Sequence, residues 1–363
     1  MKKVFLLFSF LSIAAFTVKA QDTVKTTPDA PLVIYGSVDT YYKYDFSDRG
    51  SQIPTSFASD HNSVSIGMID LGLKKKVGKA AFVGELSFGP RGQAQSIPNG
   101  PGGDSFHIQN LYVSYDLTDK LNLTGGYMAT FVGYEVIAPT GNFNYSTSYL
   151  FTNGPFQNPG VKLTYAFSDK VSLMAGVFND VWNYYSSVKK VNTFGSQLFV
   201  SPAKGWTAYL NVATGKQSGT EFDLTTAYQL TDAFKLGLNA ATYSAPGDNT
   251  GGFSGVALYP QIAVAKTVTL GLRGEYFKTK ANSSEVTYAP APGASVTAVT
   301  FTANIKAGPL TFIPEVRFDH GSKAGYIVPA TTGTSAYQVG FYNHDGNPSK
   351  SAAQVLVAAV YAF

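Results

Sequence analysis

The chain contains no cysteine, so a disulfide framework and a lipid-modified cysteine anchor are both excluded. Charge is also scarce: Asp, Glu, Lys and Arg supply 14% of the residues, against about 25% in soluble globular domains. Beyond the N-terminus no window reaches the roughly 18 consecutive apolar residues of a membrane-spanning helix. The histidines are His61, His107, His320 and His344, and none has a metal-site spacing such as His-Glu-x-x-His. Asp319 neighbours His320, but adjacent residues of a strand point to opposite faces, which separates them. No glycine-rich loop follows a strand and opens a helix, so nucleotide binding has no support. No cofactor or metal is expected, and an enzyme is the weakest reading.

What is present begins with an export pattern. Lys2 and Lys3 precede an apolar stretch from Val4 to Phe16, and Val18-Lys19-Ala20 has the small-x-small form of a cleavage site. The pattern predicts a signal peptide over 1–20 and a short periplasmic segment over 21–31. Removing Lys2, Lys3 and Lys19 lowers the formal charge from +4 to +1, so the basic balance gives little support for nucleic-acid binding.

Aromatics make up 14% of the chain, with 23 Tyr and 26 Phe against 2 Trp. They lie in segments of period-2 alternation, the pattern of strands with two different faces. Short connections such as Val77-Gly78-Lys79, Thr118-Asp119-Lys120, Ser168-Asp169-Lys170 and Gly308-Pro309 carry turn chemistry. Long ones, rich in Gly, Asn, Ser and Pro, cover 45–61, 89–104, 133–158, 181–192, 215–219, 245–252, 279–294 and 321–350. The two kinds alternate strictly and divide 32–363 into sixteen strands, the first near 32–44 and the last near 352–363. Sorted connections and an even strand count predict an all-β fold: a transmembrane antiparallel up-and-down β-barrel of about sixteen strands, with short periplasmic turns and long extracellular loops.

Parity assigns the faces. Over 295–307, Val299, Phe301, Ala303 and Ile305 alternate with Thr300, Thr302, Asn304 and Lys306. A lysine or arginine facing lipid would cost about 2–4 kcal/mol at the midplane, so charged parity marks the lumen. A barrel of this width is expected to hold water. Aromatics near the short turns, among them Tyr115, Tyr165, Phe167, Trp206, Phe312, Tyr361 and Phe363, predict one interfacial girdle. Tyr42, Tyr127, Phe131, Tyr243 and Tyr276 are the expected second girdle. Pro260 and Pro314 fall inside strands, where a bulge is the expected accommodation. Val355, Val357, Ala359, Tyr361 and Phe363 share one parity, and an amphipathic last strand ending on an aromatic is the insertion signal that the barrel-assembly machinery reads.

The stretches Asn142-Phe143-Asn144-Tyr145-Ser146, Leu150-Phe151-Thr152-Asn153-Gly154-Pro155-Phe156 and Gly160-Val161-Lys162-Leu163-Thr164-Tyr165 resemble the OmpL-like family of β-barrel porins. That family is found in Gram-negative bacteria of the Bacteroidetes type. The likeness is concentrated between Ile108 and Asn183. It implies an outer-membrane barrel in contact with lipid, acting as a passive channel for small polar solutes or ions. Barrel size suggests a homotrimer by analogy. A plugged, structural or adhesive barrel and, more remotely, a hydrolase acting at the rim remain open.

Candidate channel residues follow from parity. Glu85, Lys162, Arg273, Glu275, Glu315 and Arg317 face the lumen, as do Asp39, Lys43, Asp70 and Lys74. Opposed charges across a constriction would bias ion passage; equally, Arg273–Glu275 and Glu315–Arg317 would serve as structural pairs. Segment 133–158 carries Phe143, Tyr145, Tyr149 and Phe151 among glycines and prolines. So many aromatics need a surface to pack on, and the lumen is the nearest. An extracellular cap or two further strands are the alternatives.

Overall fold

The computed structural model describes residues 30–49, 52–93, 107–179, 190–247, 251–284, 289–330 and 335–363. The expected signal peptide and residues 21–29 lie outside them. Alternating segments form β1 (Val33–Asp45), β2 (Ser63–Val77), β3 (Ala80–Phe88), β4 (Ile108–Asp116), β5 (Leu121–Ala129), β6 (Gln157–Ser168), β7 (Val171–Phe178) and β8 (Thr193–Val200). They continue as β9 (Trp206–Gly215), β10 (Gly219–Gln229), β11 (Phe234–Ser244), β12 (Gly252–Ala265), β13 (Val268–Thr279), β14 (Ser295–Ala307), β15 (Leu310–Gly321) and a closing strand (Ser351–Ala362). Each pairs antiparallel with its neighbour in sequence, and β1 pairs with the closing strand to complete the barrel. Closure leaves no edge with unpaired backbone groups, as a lipid-facing sheet requires.

The sixteen-strand expectation holds, with boundaries moved by a few residues. Segment 133–158 contains no hidden hairpin; it carries a 3₁₀ turn (Pro139–Gly141) and helix α2 (Tyr149–Asn153). A further short helix, α1 (Pro90–Gln93), follows β3. The long connection before the closing strand adds two small ladders, 326–328 with 337–339 and 341–342 with 348–349.

The expected bulges at the prolines are absent. Pro260 stays in register with Leu236 and Pro314 with Val357. On the other side of each, pairing lapses between Leu258 and Gln261 and between Thr302 and Ile305, without a shift. A missing N–H loses its partner on one side only, so the ladder skips instead of slipping. Register shifts occur elsewhere, one between Val38 and Thr40, where Asp39 accepts the Met68 N–H at 3.0 Å.

The outer face is apolar: Leu71, Val113, Leu163, Phe222, Phe301 and Val357 are exposed on it. Tyr115, Tyr165, Phe167, Trp206, Phe312, Tyr361 and Phe363 are exposed at the short-turn rim. The second girdle is only partly as expected. Tyr42 and Tyr276 are exposed, but Tyr127 is buried, and Tyr243 packs against an internal cluster with Phe253. Phe131 lies against Phe178 inside the barrel, because β5 ends at Ala129 and the chain turns inward. Nor is the lumen a simple water-filled space. Phe253, Phe277, Val296, Leu356 and Val360 face inward and are buried in internal clusters.

Candidate functional site

Residues 130–156, between β5 and β6, cross the barrel interior. Neither turn nor helix in this segment is long enough to be stable alone. The tip is clasped locally: the Asn142 side chain accepts from Val136 N at 2.9 Å and donates to its carbonyl at 2.6 Å. Ser148 caps α2 by accepting from Phe151 N at 3.0 Å. Glu135 accepts Ser148 N at 2.7 Å within the segment, and Ser56 of the β1–β2 connection donates its N–H to Thr152 Oγ1 at 2.8 Å; the barrel wall supplies most of the remaining anchors.

A buried irregular backbone must find partners for its N–H and C=O groups, and charged side chains of the wall supply them. Glu275 accepts the N–H groups of Tyr149 and Leu150 at 2.9 and 2.8 Å, at the positive end of α2. Glu315 accepts Tyr145 N at 3.0 Å. Arg273 pairs with Glu135 of the segment at 2.8 Å and donates to the Ser146 carbonyl at 2.6 Å. Arg317 donates to the Thr147 carbonyl at 2.7 Å while pairing with Asp319 at 2.8 Å. Asp223, across the barrel on β10, accepts Gly133 N at 3.0 Å. Two phenols complete the set, Tyr145 donating to Asp39 and Tyr149 to Asp319.

Shape fits as well as charge. Inward-facing glycines stand where segment side chains press on the wall. A Cβ at Gly271 would overlap the Phe143 ring, one at Gly237 the Tyr134 ring, and one at Gly195 the rings of Phe131 and Phe178. At Gly255 it would lie 3.0 Å from Leu150. Glycine within a strand commonly marks such a close approach. On the opposite flank, the buried Arg91 of α1 lies over the rings of Phe57 and Tyr145, each 4.6 Å from its guanidinium carbon, and donates to the Tyr145 carbonyl at 2.8 Å.

Residues 31–363 match the family model described as "Putative beta-barrel porin-2, OmpL-like". The chain belongs to this porin family. No curated protein sequence matches it. Among solved structures it is similar to the anion-selective porin from Comamonas acidovorans, with TM-score 0.62 and 14% identity over 92% of this chain and 99% of that one. The outer membrane channel DcaP of Acinetobacter baumannii gives TM-score 0.59 and 14% identity, over 94% and 99% of the two chains. OmpT of Vibrio cholerae in a trimer form gives 0.57 and 14%, over 92% and 99%. At such identities these structures speak for the fold alone.

In this porin-family chain the lumen charges named from sequence fall into two groups. Arg273, Glu275, Glu315 and Arg317 are buried against the crossing segment, which carries Phe143, Tyr145, Tyr149 and Phe151. The pairings named from sequence do not form. Arg273 bridges to Glu135 instead of Glu275, and Arg317 to Asp319 instead of Glu315, because both glutamates are engaged by segment N–H groups. Glu85 and Lys162 stand apart from the segment's anchors. Glu85 accepts from Asn110 at 2.9 Å and from the Tyr35 hydroxyl at 3.2 Å. Lys162 lines a cavity of about 410 Å³ together with Phe131, Gln197, Tyr209 and Thr225. Of the other wall charges, Asp39, Lys43 and Asp70 are buried and Lys74 lies over the Tyr35 ring.

Sequence reading missed Glu135, Arg91 and the wall glycines; parity placed Asp223 in the lumen but not at the segment. Glycine at lumen parity, as at Gly237 and Gly271, was the available signal. Asp319 and His320 do diverge: Asp319 is buried in the lumen, whereas His320 is exposed and bonded to Ser351 at 2.8 Å. His61 contacts Asp48 at 2.9 Å.

Proposed function

We propose that this chain is an outer-membrane diffusion channel for small polar solutes, narrowed by the segment 130–156. The observation that carries the reading is an asymmetry of the lumen. Most of the buried charges that hold the segment stand on β13, β15 and β1. The facing wall of β6, β8, β9 and β10 contributes Asp223 and Gln197 to the segment and borders a cavity with hydroxyl, amide and lysine side chains. A second cavity, of about 670 Å³, adjoins it at Tyr134 and Ala227. Solutes would pass along the Lys162 side, where polar groups replace water of hydration without binding tightly. In this reading residues 1–20 direct export and are removed, and 21–31 form a short periplasmic segment. The short turns then face the periplasm, Tyr361 and Phe363 serve the assembly machinery, and the barrel sits in lipid. A homotrimer is the proposed assembly.

A plugged barrel is the second reading, favoured by the complete burial of Arg273, Arg317 and Tyr149 in mid-lumen. Planar-bilayer recording separates the two. A narrowed channel gives small, stable unitary currents that rise severalfold when residues 140–152 are deleted. Absence of current in the intact protein, with current only after the deletion, establishes the plug.

A further inference from the structure

The larger cavity lies between the crossing segment and the short-turn rim, and its lining is a selected one. Lys235 on β11 and Lys306 on β14 flank it, three strands apart, or about 14 Å at ~4.8 Å per strand step. Neither lysine makes an ion pair among the described residues. The one acid in the lining, Glu135, is already paired with Arg273 at 2.8 Å and accepts Ser148 N at 2.7 Å. The cavity therefore presents two uncompensated positive charges. Gln261 and Thr269 on the strands between the lysines, and Thr311 on β15 directly opposite Lys306, offer side-chain donors and acceptors with no partner among the described residues. The roof is aromatic: Tyr134, itself stacked on Tyr259 with centroids 4.4 Å apart, lines the space from the segment side.

Cations at the flanks, neutral hydrogen-bonding groups between them and an aromatic face above suit a hydroxylated organic acid. The volume is within the range of about 300–1,000 Å³ typical of small-molecule sites. We propose that this cavity is a binding site for small acidic sugars of the uronate class, the carboxylate on Lys235 or Lys306 and the hydroxyls on Gln261, Thr269 and Thr311. The site deepens the channel reading by naming a solute class, but occupancy does not require that the channel conduct.

The test is titration calorimetry on the detergent-solubilised full-length barrel at low ionic strength, with galacturonate, galactose and inorganic phosphate as probes. Galacturonate should bind at least tenfold more tightly than either of the others. The Lys235→Gln/Lys306→Gln double variant should weaken it by about tenfold, the scale of a charge-assisted hydrogen bond, with one of the two single variants giving most of that loss. Lys170→Gln, a turn substitution outside the cavity, should leave it unchanged. Equal binding of galactose overturns the role of the lysines, and equal binding of phosphate overturns that of the hydroxyl partners. Unaltered galacturonate affinity in the folded Lys235→Gln/Lys306→Gln barrel overturns the site. Conductance recorded beside calorimetry keeps the proposals apart: currents without galacturonate binding refute only the site, and binding without currents refutes only the channel.

Discussion

Replacing Arg273 by Gln tests whether the lumen arginines hold the crossing segment or face the permeating ions. In the structure this side chain is fully buried and bridges Glu135, the Ser146 carbonyl, Ser146 Oγ and Thr300 Oγ1. Glutamine keeps part of the volume but removes the charge opposite Glu135. Breaking a buried pair in this way typically costs about 3–5 kcal/mol, because the partner charge is left uncompensated. The barrel ladder does not depend on the pair, so the cost falls on docking of the segment. At 1.4 kcal/mol per tenfold, the docked-to-undocked ratio should fall by roughly two to three and a half orders of magnitude. Single-channel recording should then show a second, larger conductance level or frequent transitions to it, while heat-modified gel mobility still reports a folded barrel. Arg273→Lys, which keeps the charge but loses the planar fork, should fall between. The reasoning is refuted if Arg273→Gln keeps the wild-type conductance and dwell times while shifting the reversal potential. That result would put Arg273 in the ion path.

Three more outcomes follow from the same geometry. Gly271→Val forces a branched side chain into the Phe143 ring, an overpacking of about 1–3 kcal/mol, and should raise conductance, whereas Gly274→Ala, with its nearest neighbour 3.6 Å away, should not; equal currents in both would deny that the wall glycines seat the segment. Lys162→Glu should move the reversal potential in a salt gradient toward cation preference, since Lys162 lines the proposed passage, and an unmoved potential would place the passage elsewhere. Deleting Phe363 removes two backbone hydrogen bonds to Gly36, of 3.1 and 3.0 Å, at the barrel seam. At about 0.5–1.5 kcal/mol each, their loss should lower the yield of folded barrel in lipid vesicles, and an unchanged yield would remove Phe363 from assembly.

The barrel was legible because its determinants are local. Each strand carries its own period-2 pattern, and a lysine such as Lys306 opposite Ile305 assigns the faces without knowledge of any neighbour. Turn residues such as Gly78 and Gly308, both at positive φ, mark the short rim from their own conformational preference. Closure could be counted in the same way, since an even number of strands with sorted connections brings Phe363 back beside Gly36. Where the local rule ends, the expectation fails with it. Phe131 continues the parity of β5 in sequence but lies beyond its last ladder pair, so it turns to the lumen.

The site was legible as a list of inward charges and an aromatic segment in need of a surface, without the contacts between them. Its arrangement depends on contacts between residues far apart in sequence, such as Glu135 with Arg273 and Tyr145 with Glu315. No periodicity encodes those pairings. They arise because a segment without regular structure must satisfy its backbone inside the barrel, and whichever wall groups lie at hydrogen-bond distance become its partners. Arg273–Glu275 and Glu315–Arg317, neighbours on their own strands, were for that reason the wrong pairs. The amino-acid sequence by itself determined the compositional class, the strand number and the two faces, because alternation and turn chemistry act within a few residues. Tertiary structure alone decided which charges hold the crossing segment and which polar groups are left to line the cavities, because that division depends on where a long connection comes to rest in three dimensions.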